Sequence, residues 1–158
     1  MASRPGWHRG EDSIHTKMGY DKLEHAAGLY KWIKLELPHD QAQFYCSQVQ
    51  YLPMCILDEE NRPWVSILSG RDGQTGYIHY PEHNTLEVEA ILWKGDPFID
   101  YFKTSNLSNT PPLFAAVGIE VSTRTRNKFA GQIVEVDLEE GLLKLKLKAT
   151  QAIRYDFP

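Results

Sequence analysis

The chain has 158 residues, a length that suits one domain and lets it bury roughly 68–70% of its unfolded surface without covalent staples. Apolar residues make up 42% and charged residues 24%, and a net charge of −4 gives no global field that favours nucleic acid or an anionic membrane. Any anionic ligand therefore needs a local cluster of cations. Cys46 and Cys55 are too few for a disulfide framework. No apolar run is long enough to span a bilayer, and Met1 to Trp7 lack the apolar stretch of a secretory signal. The expectation is a soluble cytoplasmic protein with reduced thiols.

In chain order, residues 1–20 are polar and read as an N-terminal extension whose apolar groups are Trp7, Ile14 and Met18. A short helix is expected around Leu23 to Tyr30. Asp40 is placed to cap a helix over residues 41–49. Met54 to Leu57 and Trp64 to Leu68 are apolar runs around the polar turn Asp58-Glu59-Glu60-Asn61, the pattern of a β-hairpin. A Gly-rich loop, Gly70 to Gly76, follows. Tyr77 to Tyr80 and Thr85 to Ile91 read as strands, the second alternating Leu86, Val88 and Ala90 against Glu87 and Glu89. Asp96-Pro97 is a helix start, with Phe98, Tyr101 and Phe102 on one side of a helix to Lys103. Leu113 to Val121, Phe129 to Val136 and Leu142 to Leu147 complete the strands, the last two joined by Glu139-Glu140-Gly141 as a hairpin turn. Six or seven short strands and two helices indicate a mainly β, antiparallel barrel with helical covers.

Three segments could carry chemistry. Ser122-Thr123-Arg124-Thr125-Arg126-Asn127-Lys128 lies between two strands and packs three cations and three hydroxyls into seven residues. Arginine forks and short hydroxyls recognise phosphate. Spacing alone leaves a phosphate site and a solvated basic loop both open. In Ser66 to Gly76, Ser66 and Leu68 share one strand face and Ile67 and Ser69 the other, and the glycines allow close backbone approach. That loop matches neither a P-loop nor a dinucleotide fingerprint. In Trp7 to Glu11, Glu11 and His15 could share a helix face, but the Cys and His spacing defines no metal site. His79 and His83 look like loop residues, and no Ser/His/Asp constellation stands out.

At these segments the sequence resembles the FMN-binding split barrels related to pyridoxamine 5′-phosphate oxidase, in particular a branch of flavin-nucleotide-binding proteins that opens with His-x-Gly-Glu. Trp7-His8-Arg9-Gly10-Glu11, Asn61 to Gly70, Asp96-Pro97 and Gly118 to Gly131 carry the likeness, in order, over most of the chain. The resemblance implies one domain over residues 1–158, built as a six-stranded Greek-key split barrel with a few flanking helices. It further implies a homodimer holding FMN between subunits. Ser66, Ile67, Leu68 and Ser69 would line the flavin, and Arg124, Arg126 and Asn127 would meet its phosphate or ribityl chain. A redox-active oxidoreductase, with a nicotinamide or other small-molecule electron donor, is the implied activity. A flavin-binding or storage module without turnover and a degenerate structural dimer are the rivals. The chain departs from the family at Ala130, where Asn is usual, and in residues 149–158, which replace the branch's Gly-Asn-Cys-Pro segment with a divergent tail.

Overall fold

The computed structural model describes residues 9–19, 33–58, 60–104 and 111–155. The chain divides into two compact units, Met1–Ile33 and Lys34–Pro158. In the first, α1 (Arg9–Met18) carries Glu11 and Asp12 in its first turn and His15 and Lys17 in its last, charges that complement the helix dipole. Glu11 and His15 are thus one turn apart, as expected. His8 and the helix expected around Leu23 lie outside the described residues.

The second unit contains α2 (His39–Gln48), β1 (Tyr51–Leu57), β2 (Pro63–Ser69), a 3-10 turn at Arg71–Gly73, β3 (Ile78–Glu82), β4 (Thr85–Ile91), α3 (Pro97–Thr104), β5 (Leu113–Glu120), β6 (Thr125–Glu139) and β7 (Leu142–Tyr155). The strands form one antiparallel sheet in the order β2-β1-β5-β6-β7-β4-β3. The sheet has seven strands, not the six that the resemblance implies. β3 is a short edge strand that pairs with β4 across a register shift and carries Pro81 near its end. Proline lacks the N–H that a central strand must donate, so an edge suits this segment. The alternation read in Thr85 to Ile91 is real: Leu86, Val88 and Ala90 enter the core.

Strand parity builds that core. Leu52, Met54 and Ile56 from β1, Leu68 from β2 and Leu143, Leu145 and Leu147 from β7 all point to the enclosed side. Helix α2 packs on the same side through Phe44 and Tyr45, and with the capping Val49 they crowd against Gly118 so closely that a Cβ there would lie 2.7 Å from the Tyr45 ring. The start of α2 differs from expectation. Pro38, with φ −59° and ψ 147°, is its N-cap and makes no side-chain cap bond. The fixed proline φ sets the chain direction into the helix. Asp40 sits inside the first turn and pairs instead with the Arg154 guanidinium at 2.7 Å.

The β6–β7 hairpin is longer than its apolar pattern suggested. Its two-residue turn is Glu140-Gly141, with φ values of 48° and 87°, the backbone that a tight hairpin demands. Register shifts near Ala130/Gly131 and Ile133/Glu135 let both strands curve and continue. The expected divergent tail is therefore largely strand: Ile153 and Arg154 pair with Lys128 and Asn127. The basic segment expected as a loop is a loop only over Ser122 to Arg124, and Thr125 begins β6.

Candidate functional site

On the outer face of β2, β1 and β5 lies an open groove of about 860 Å³, lined among others by Tyr51, Pro53, Val65, Ile67, Ile119 and Val121. Apolar side chains face outward here as well as inward. Val121 is 82% exposed and Ile67 58%. Trp93, 74% exposed, overhangs the groove from the turn before α3, where the Asp96 N–H bonds the Trp93 carbonyl at 2.9 Å and Gly95 takes a φ of 89°. The volume is in the range of small-molecule sites, and the lining suits a flat apolar ring.

Ser66 and Asp96 meet as a bonded polar pair in the groove. Ser66 Oγ–H donates to Asp96 Oδ2 at 2.5 Å, and Asp96 Oδ1 accepts the Phe98 N–H at 2.9 Å. Asp96 therefore caps α3 as the sequence predicts, and it also fixes the hydroxyl of Ser66 across 30 residues of sequence.

The flavin-lining residues inferred from the resemblance divide between groove and core, and not by strand parity, since Ser66 lies on the same strand face as Leu68. Ser66 and Ile67 both line the groove, whereas Leu68 is fully buried in the core and Ser69 is half-buried. The inferred phosphate-end residues divide likewise. Arg126 is directly opposite Ile119 in the β5–β6 register, so it shares the outer face with a groove residue. Arg124 is exposed in the adjoining turn with a φ of 60°. Asn127, opposite Gly118, is 0% exposed, and neither atom of its amide has a hydrogen-bond partner.

The hydroxyls of the basic segment are already engaged. Ser122 donates from its N–H at 3.0 Å and its Oγ at 2.8 Å to Glu120 Oε1. Thr123 donates to Oε2 from its N–H at 2.6 Å and also from its hydroxyl. Side-chain bonds from Thr123 and Ser122, with the two backbone bonds, hold the Glu120 carboxyl down at about 2. The segment thus gathers anion-binding groups, as its composition implies, but one carboxylate of the chain occupies those of Ser122 and Thr123. The cations of the segment are Arg124, Arg126 and Lys128.

The Gly-rich loop forms the 3-10 turn, with Gly73 and Gly76 at φ 67° and 92°. It borders a separate polar pocket of about 300 Å³ that includes Arg71, Thr75, His79 and Glu89. His79 belongs to β3 rather than to a loop, while His83 stands in the β3–β4 turn as expected. Cys46 and Cys55 are free thiols. Among the described residues no cluster of three or more His, Cys, Asp or Glu could hold a metal ion, and no helix is long and apolar enough to cross a membrane.

The groove contributions of Tyr51, Pro53, Trp93, Ile119 and Val121 are absent from the sequence reading. A signal was present: β5 is apolar at both parities, unlike a strand with one face in water.

No protein-family model matches the chain, and no curated protein matches it significantly. Among solved structures it is similar to a variant of HupZ from Group A Streptococcus, with a TM-score of 0.49 and 7% identity over 75% of this chain and 99% of that one. It is also similar to an F420 reductase, with a TM-score of 0.47 and 10% identity over 73% of this chain and 97% of the other. A candidate 5-nitroimidazole antibiotic resistance protein from Bacteroides thetaiotaomicron gives a TM-score of 0.37 and 11% identity, over 79% and 92% of the two chains.

Proposed function

We propose that this chain is an FMN-binding flavoprotein of the pyridoxamine 5′-phosphate oxidase-like split-barrel class, redox-active and working as a homodimer. The observation that carries this reading is the apolar groove on the outer face of β1, β2 and β5, with Arg126 alongside it on β6. The chemistry fits the cofactor: the lining offers apolar walls for the ring, and Arg126, opposite Ile119 on the neighbouring strand, and Arg124 in the adjoining turn stand beside the groove for the phosphate. Val65, Ile67 and Ile119 would pack against the ring, and Ser66 would contact its edge. Arg124 and Arg126 would hold the phosphate. Leu68 and Asn127 act from behind, through the backbone and the core. Bound flavin would supply one- and two-electron transfer, while the protein supplies binding, orientation and electrostatics.

Titrating purified protein with FMN tests the reading. Binding should quench flavin fluorescence at micromolar protein, and Arg124→Ala with Arg126→Ala should weaken it by about 100-fold, since a hydrogen bond to a charged group contributes roughly 1.5–3 kcal/mol. Absence of FMN uptake, or affinity unchanged in the double variant, refutes it.

A second reading, a flavin-binding module without turnover, is favoured by the groove's polar content. Ser66 has committed its hydroxyl proton to Asp96, leaving this pair as acceptors rather than proton donors. Adding NADPH or NADH to the FMN-loaded protein separates the two: catalytic bleaching supports the enzyme, and no bleaching supports the binder.

A further inference from the structure

Among the described residues that line the groove, Asp96 is the charged one, and its neighbour Ser66 is 6% exposed. The direction of the proton between them is set by chemistry. A carboxylate cannot donate, so the Ser66 hydroxyl hydrogen points to Asp96, and the serine oxygen keeps lone pairs for another donor. Each carboxylate oxygen already accepts one bond, from Ser66 or from the Phe98 N–H, and each retains a further acceptor site. Those two bonds also hold the carboxylate still. Ser66 and Asp96 therefore form a fixed, acceptor-only spot in a mostly apolar wall.

A ligand lying over this spot removes water from a carboxylate. Covering it with a carbonyl or a ring C–H leaves a desolvated charge without compensation, whereas covering it with an N–H replaces the lost water bond. A site built to pair one donor rejects the analogue that lacks it. We infer that Ser66 and Asp96 are the specificity-determining pair of the groove and select a flat heterocycle by a ring N–H donor, which for oxidised flavin is the imide N3–H. The same spot disfavours an anion, so it directs a phosphate away from Asp96 and toward the Arg126 side. This assignment rests on the proposed flavin site and names what recognises the ring within it.

The test compares FMN with N3-methyl FMN by fluorescence titration on the full chain. Wild type should prefer FMN by about 10-fold or more, the usual worth of a hydrogen bond to a charged group. Asp96→Asn keeps an acceptor oxygen for the Phe98 N–H but loses the charge, and in it the preference should collapse toward unity. Ser66→Ala leaves the helix cap in place, removes one acceptor and should narrow the preference; it decides the matter alone if Asp96→Asn does not fold. Equal affinity of wild type for both flavins overturns this assignment while leaving the flavin site standing, as does a preference undiminished in the folded variants. Failure of wild type to bind either flavin overturns both.

Discussion

At the scale of single residues, Asn127 is a costly side chain in the core beneath the sheet. It is 0% exposed and neither amide atom has a partner, so its desolvation is uncompensated. Asn127→Leu conserves shape and removes that cost, so it should hold or raise stability, by about 1 kcal/mol at most, or roughly 2–4 °C in Tm for a chain of this size. Calorimetry checks it: a fall of several degrees would mean that the amide has a role in the core that its bonding does not reveal. Two carboxylates make a pH prediction. Burial pushes the Asp58 carboxyl up, but the Trp64 indole N–H and the Arg62 backbone and guanidinium outweigh it and bring it to about 2, against 3.8 ordinarily. Glu120 is lowered to about 2 from 4.5. Both folded values are depressed, so both contributions are complete above the ordinary values and are lost as pH falls through about 2. Between pH 4.5 and 2, Glu120→Gln should lose less Tm than wild type; parallel losses would contradict the assignment.

At the scale of elements, the β6–β7 hairpin joins the basic turn to the C-terminal strand. Its curvature depends on Gly131, where an added Cβ would run into the Lys148 carbonyl oxygen and crowd the Ala149 backbone. Those are backbone atoms and cannot swing aside, so Gly131→Ala should cost about 1–3 kcal/mol, as overpacking does, and lower Tm by several degrees. An unchanged Tm would show that the register shift near Ala130/Gly131 moves freely. The hairpin also marks what the sequence disclosed. Lys144, Lys146 and Lys148 alternating with Leu143, Leu145 and Leu147, together with Glu140-Gly141, made its centre and turn legible. Its full length was not legible, because the register shifts break the period-two pattern and the segment around Arg126 reads as polar whether it is loop or strand. The cap of α3 was readable from Asp96-Pro97, whereas the reach of Asp96 to Ser66 was not, since it depends on which strand lies beside the helix.

At the scale of the whole molecule, the outer face of β1, β2 and β5 is too apolar to be an ordinary solvent face. Tyr51, Val65, Ile67, Ile119 and Val121 are all more than 40% exposed and line one groove. Ser66 and Ile67 could be taken from a short motif, but the face itself required the sheet order, which places β5 beside β1 although α3 and three strands separate them in sequence. Apolar patches beyond a few hundred Å² on a soluble protein mark contact surfaces. A stable dimer buries about 800 Å² per partner, and in the proposed arrangement two such faces would close over the flavin. Placing a charge on the face should then separate the subunits while sparing the core, because Ile67 and Val121 point away from it. Ile67→Lys with Val121→Lys is expected to shift sedimentation from dimer to monomer, to keep the far-ultraviolet circular dichroism of the wild type, and to weaken FMN binding in parallel. Wild type that sediments as a monomer at tens of micromolar, with or without FMN, would refute the shared site. A dimer that survives both lysines would place the subunit contact on another face and leave the groove to the ligand alone.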